Sequence, residues 1–132
     1  MLTRPLFQGV LEDLDTLEPD QFTRHLTADF TFTMPGAELH GPTAYYDLCA
    51  EWSQAFPDLG HHLDSFIADG DEYCAEIRIT GSHLGRFGSL APTGRSFVLH
   101  TATLGRFTGD RMAGRRVYVD SGDLLRQLGQ QS

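Results

Sequence analysis

The run VYVDSGDLLRQLG, residues 117–129, carries a strand-like pattern into a bare carboxylate, Asp120, just before helix-forming residues. An aspartate at such a junction admits two roles. It can cap the helix by accepting from its first free N–H groups, although Ser121 and Asp123 could do the same. It can instead face an apolar hollow, where desolvation raises a carboxyl pKa and suits it to shuttle protons near neutral pH. His100 and Tyr118 are its candidate partners. If Thr108-Gly109-Asp110 is a three-residue loop, residue 107 faces 111, Tyr118 faces His100, and Asp120 lies on the diagonal, within reach of long side chains. A slip of one residue sends His100 to the other face, as a partly exposed histidine of a dimer surface.

Other residues pose similar alternatives. Glu76 and Arg78 share one face of the run YCAEIRIT. Outward, they form a solvated pair of little energetic weight; inward, they place a carboxylate and a guanidinium beside Asp120. His83, in TGSHLG, either ties down its loop or looks into a pocket mouth. Adjacent His61 and His62 point to opposite faces of a strand, and His25 and His40 are scattered, so no metal site is expected. Phe32, Tyr46 and Trp52 are core aromatics that line any hollow the core leaves.

These residues need a frame, and bulk properties restrict it. The chain has 132 residues, 40% hydrophobic and 21% charged, in the range of one soluble domain spanning 1–132. A net charge of -8 disfavours nucleic acid and anionic membranes as partners. Arg106, Arg111, Arg115 and Arg116 bunch together, but divided across a turn they make a weak groove. The N-terminal residues lack the apolar run of a signal peptide, and no stretch has the length of a membrane span, so a cytoplasmic location is expected. Cys49 and Cys74 read as reduced, packed thiols.

Periodicity supplies the elements. Phe7, Val10, Leu11 and Leu14 recur at helical spacing behind Thr3 and Pro5, and a short helix starts near Pro19. DFTFTMPG alternates as a strand, with Phe30, Phe32 and Met34 on one side. The clearest helix precedes Pro57, with Tyr45, Cys49, Trp52 and Phe56 on one stripe. Residues 61–82 read as a hairpin turned by Asp69-Gly70, two further strands span about 95–107 and 111–120, and a helix ends at Gly129. Helices followed by a run of antiparallel strands predict an α+β fold, with helices covering one face of a curved sheet and a cavity between them.

The ordered series PG, HGP, W, AFPD, DGD, TGSHLGRF, PTGR and VD before LLRQLG resembles the SnoaL-like polyketide cyclase branch of the nuclear transport factor 2-like superfamily, over about residues 22–129. The resemblance implies a cone-shaped domain, its curved antiparallel or mixed sheet covered by N-terminal helices and enclosing one apolar pocket, usually in a homodimer paired through sheet faces. It also implies an acid/base aspartate at the end of the last strand, here Asp120, closing rings by intramolecular aldol chemistry without metal or organic cofactor. The last hairpin, FTGDRMAGRR, departs from the pattern: Gly114 and Arg116 occupy the usual glutamate and tryptophan positions, and Arg106 that of the pocket histidine.

The expected protein binds a hydrophobic, ketide-like small molecule. If it is a cyclase or isomerase, Asp120 is the acid/base, Arg106 or Arg116 stabilises an enolate, and His100 or His83 assists. The alternatives are an epoxide-hydrolase-like enzyme using Asp120, Arg78 and Glu76, or a non-catalytic binding or dimerisation module. Tyr46, Trp52, Phe32 and Tyr118 are the expected ligand contacts.

Overall fold

The computed structural model describes residues 1–129. Two helices open the chain, α1 (Arg4–Asp15) and α2 (Pro19–Arg24). Thr3 starts α1 by accepting from the Leu6 N–H, and Phe7, Val10, Leu11 and Leu14 form its buried stripe. The strand β1 (Leu26–Met34) follows, then a short edge strand β2 (Ala37–His40) not anticipated from the sequence, and the long helix α3 (Pro42–Ala55). The rest is a meander: β3 (Gly60–Asp69), β4 (Glu72–Ser82), β5 (Ser96–Thr108), β6 (Arg111–Tyr118), closed by α4 (Ser121–Gln127).

The six strands form one sheet in the order β2-β1-β6-β5-β4-β3, with β1 and β6 parallel and all other neighbours antiparallel. Of the antiparallel and mixed forms expected, the sheet takes the mixed one, through the β1–β6 pair. The helices α1 and α3 pack on it, through β3 and β1 respectively, while α4 lies on β5. Phe7, Phe22, Phe30 and Ile77 are fully buried between helices and sheet. The α3 stripe is buried at Tyr45 and Phe56 and half-buried at Cys49 and Trp52, the pattern of a helix roofing a partly hollow core. No helix among the described residues is long and apolar enough to cross a membrane.

Two turns differ from expectation. In the β3–β4 hairpin, Asp69 pairs with Glu72, and Gly70 alone carries the positive φ, 60°. In the β5–β6 hairpin, Thr108 pairs with Arg111, so the loop is the two residues Gly109-Asp110. A bulge between Arg106 and Phe107 then shifts the ladder, and Tyr118 pairs with Ala102 rather than His100. The extra residue of a bulge cannot be read from alternation, since it is what breaks the alternation. Just above it the two chains run unusually close. A Cβ on Gly105 would lie 2.0 Å from the Gly114 carbonyl oxygen, so only glycine fits there.

Candidate active site

An apolar hollow of about 80 Å³ separates α3 from the concave face of the sheet. Phe32 and Met34 of β1, Trp52 of α3, Ile79, Leu99 and Val117 make most of its wall. Phe32 stacks on Tyr45 at 4.6 Å between ring centroids, which fixes the floor.

One charge is set into this wall. Arg115 sits on the same face of β6 as Val117 and is only 3% exposed. Its Nε donates to the Thr103 hydroxyl at 3.3 Å and its Nη1 to the Tyr45 hydroxyl at 2.7 Å. No carboxylate pairs with it among the described residues, and Nη2 has no partner there. Burial works against its charge, but the neighbouring Tyr45 and Tyr73 oxygens and the Cys49 sulfur more than offset that, and its pKa is shifted up. Tyr45 is held protonated, because burial raises its pKa further than the Arg115 charge lowers it. Having accepted from Arg115, its hydroxyl keeps its own proton to donate. Burial likewise lifts the Cys49 thiol to about 11.

A base stands on the same cavity. His61 of β3 lines it, and its Nδ1 lies 2.6 Å from the Asp15 carboxylate at the end of α1. The two side chains are 16% and 29% exposed. A carboxylate at Nδ1 puts the proton on that nitrogen and leaves the Nε2 lone pair as the basic position. A neighbouring, more polar hollow on the α1 side is lined by Asp15 and shares His61, Tyr45, Cys49, Leu59 and Arg115 with the first. These five residues therefore stand between the two. A similar pair, His25 with Asp13 at 2.6 Å, lines neither hollow and clamps α1 to the start of β1. Pairing alone does not make a site; placement at a cavity does. Among the described residues no group of three or more His, Cys, Asp or Glu is arranged to hold a metal.

The sequence profile of the SnoaL-like polyketide cyclases matches residues 6–128. The chain belongs to this family. A comparison with curated proteins finds no match. Among solved structures it is similar to AclR from Streptomyces galilaeus, with a TM-score of 0.83 at 22% identity, covering 98% of this chain and 85% of that one. IdmH from Streptomyces antibioticus gives a TM-score of 0.83 at 19% identity over 96% and 97% of the two chains. A protein from Catenulispora acidiphila described as having a ketosteroid isomerase-like fold, in complex with trimethylamine, gives 0.83 at 18% identity over 98% and 96%. At these identities the likeness establishes the fold.

Within this SnoaL-like frame the residues expected from sequence separate. Phe32 and Trp52 line the cavity. Asp120 does not reach it: its side chain is 70% exposed, accepts from the Asp123 N–H at 3.2 Å, and meets Arg126 at 3.1 Å. Those two bonds, the backbone one first, hold its pKa below the ordinary carboxylate value, the reverse of a desolvated acid. It is the helix cap of α4. The outward phase of β5 and β6 carries His100, Arg106, Arg116 and Tyr118 to the far side of the sheet, all exposed. Tyr118 is 55% exposed. Glu76 and Arg78 also face outward and do not pair with each other. Glu76 accepts from the Ser65 hydroxyl, and Arg78 Nε donates to both oxygens of Asp64 at 2.9 Å. The Asp120, Arg78 and Glu76 set of an epoxide-hydrolase-like site is therefore not assembled. His83 is fully buried, its Nδ1 accepting from the Thr93 N–H, and it pins the loop of residues 83–95. Tyr46 donates to the Leu17 carbonyl and lines none of the hollows described here. Cys74, expected in the core, is exposed on the outer face.

Sequence reasoning assigned no site role to Arg115, His61 or Asp15. A signal existed for Arg115, since residues 115, 117 and 119 share one strand phase and two of them are valines. The His61–Asp15 contact joins residues 46 apart in the chain, and no local pattern announces it.

Proposed function

We propose that this SnoaL-like protein is a cofactor-independent cyclase or isomerase acting on a hydrophobic, ketide-like carbonyl compound. The observation that carries this reading is a buried arginine without a carboxylate, facing the same apolar cavity as a carboxylate-held histidine. A buried cation with no carboxylate beside it is placed to stabilise negative charge that develops within its reach. His61 Nε2 takes a proton from the carbon next to a carbonyl. The electron pair moves to the carbonyl oxygen, where Arg115 Nη2 and the Tyr45 hydroxyl stabilise the enolate. In a cyclisation the enolate carbon attacks a second carbonyl of the same substrate, and His61 returns its proton to the new alkoxide. In an isomerisation it returns the proton to another carbon. Asp15 stabilises the imidazolium in between. The apolar walls exclude water, which strengthens each of these interactions.

The family itself, and the naming of IdmH as a candidate cyclase and AclR as a candidate hydroxylase, support a small-molecule substrate of this class. The test is deuterium uptake at the carbons flanking the carbonyl of 2-tetralone, followed by proton NMR in D2O. The protein should accelerate it, and Arg115→Met should remove the acceleration. Uptake no faster than in buffer would leave only the binding-module reading.

The proposed assembly is a homodimer through the outer sheet face. Val98 and Tyr118 are exposed there, as is the outward Cys74. Ile77 and Ile79 are turned inward, at 0% exposure for Ile77 and on the cavity wall for Ile79. The outer surface also carries Glu76, Arg78, His100, Arg106 and Arg116, and a dimer formed through it should be sensitive to salt.

A further inference from the structure

Across Met34, Trp52, Leu99 and Val119, which line both, the cavity adjoins a second apolar hollow of about 200 Å³ that reaches under α4. Phe87 closes one side of this extension, with its ring edge-on to Trp52 at 5.2 Å between centroids. The other side is α4, through Leu124, Leu125 and the hydroxyl of Ser121.

Both walls are fixed. The Phe87 loop is closed on itself by paired backbone bonds to Leu90, each 2.9 Å. The helix α4 is clipped to β5 by Gln127, which donates to the Val98 carbonyl and accepts from the Val98 N–H, both at 2.8 Å. Asp120 caps its first turn. Leu125 nevertheless stays 42% exposed, an apolar side chain over an unfilled apolar space.

Polarity across the two adjoining hollows is one-sided. Arg115, Tyr45, His61 and Thr101 all lie on the first hollow, and none of them on the second. A ligand spanning both would place its reacting oxygens at the first. Any ketone or hydroxyl carried into the second beyond the reach of Ser121, at its exposed end, would lose its water without gaining a partner, and so be selected against. We propose that the second hollow is a subsite for an unoxygenated alkyl or aryl arm. The substrate class is then an enolisable 1,3-dicarbonyl compound with its oxygens at one end and an apolar extension at the other, not a chain oxygenated throughout. The reaction that supplies it must deliver that arm already free of oxygen. This inference rests on the proposed placement of the reacting carbonyl at Arg115 and His61.

Trp52 is the one tryptophan in the chain and sits at the junction, so its fluorescence reads occupancy directly. The probes are pentane-2,4-dione, undecane-2,4-dione and undecane-2,4,10-trione. The wild-type protein should bind the undecanedione at least tenfold more tightly than the pentanedione, and the trione should lose most of that gain. Ser121→Trp, which fills the extension, should bring the affinity ratio of the two diketones below threefold. Leu125→Arg, at an exposed position, should do the same if the first variant folds poorly. A wild-type ratio within threefold, or a ratio that survives both variants, overturns the subsite. Deuterium uptake by 2-tetralone separates this from the catalytic reading. Uptake without a length preference removes the subsite alone; a length preference without uptake keeps the subsite and removes the catalysis.

Discussion

The two faces of the sheet carry similar chemistry to opposite effect. On the outer face Arg78 meets Asp64 in a two-pronged contact at 2.9 Å, with both side chains more than a third exposed. On the inner face Arg115 is sealed in, bonded only to neutral hydroxyls. The outer guanidinium is already compensated by its partner and by water, so it has little left to offer a ligand. The inner one has been stripped of both. Histidines divide the same way: His100 is exposed on the outer face, while His61 is held by a carboxylate at the edge of an apolar hollow. Placement at the apolar cavity, rather than residue type, separates a candidate reactive group from a solvated one in this molecule.

Several substitutions break or sharpen that contrast. Arg115→Met should lower the rate of carbonyl-adjacent exchange by about 100- to 1,000-fold, the usual worth of a lost oxyanion donor. The same change should also cost about 1 to 3 kcal/mol of stability, because the buried Tyr45 and Thr103 hydroxyls lose their donor. Thermal melting beside the exchange assay checks both halves. Asp15→Asn keeps the geometry but removes the charge that stabilises the imidazolium, and should slow exchange by about 10- to 100-fold. Gly105→Ala forces apart the backbones of β5 and β6 and should cost more than about 2 kcal/mol in urea unfolding.

Thiol chemistry gives a smaller, pH-dependent contrast. Cys49 is raised to about 11 by burial, so at pH 8 it is almost wholly the unreactive thiol, and its alkylation should accelerate only as pH climbs toward that value. Exposed Cys74 should take up iodoacetamide first, and peptide mass mapping distinguishes the two. Smallest of all, Arg78→Met on the outer face should change stability by less than about 1 kcal/mol, as for exposed ion pairs in general.

What the sequence disclosed follows the same division. Helical stripes such as Phe7, Val10, Leu11 and Leu14, and the alternation of Phe30 and Phe32, are local signals imposed by burial, and they located α1 and β1 correctly. The motif series marked the family, and the profile match over residues 6–128 agrees with it. The site was harder to read. The expected cluster of His100, Tyr118 and Asp120 depended on a regular β5–β6 ladder, and the bulge beside Arg106 changed the pairing. Arg106 and Arg116 drew notice as charges, while Arg115, in phase with Val117 and Val119, did not. Strand phase marked it as inward, but only the fold shows that nothing charged awaits it there.

The most direct test sets His61 against Asp120 in one assay. Initial rates of deuterium uptake by 2-tetralone are compared for the wild-type protein, His61→Gln and Asp120→Asn, each verified as folded by circular dichroism. With His61 as the base and Asp120 as the cap of α4, His61→Gln should fall by about 100-fold or more, the usual worth of a positioned base. Asp120→Asn, which keeps a capping oxygen, should stay near the wild-type rate. Loss of uptake in Asp120→Asn with His61→Gln still active would contradict the account and return the acid/base role to the end of the last strand.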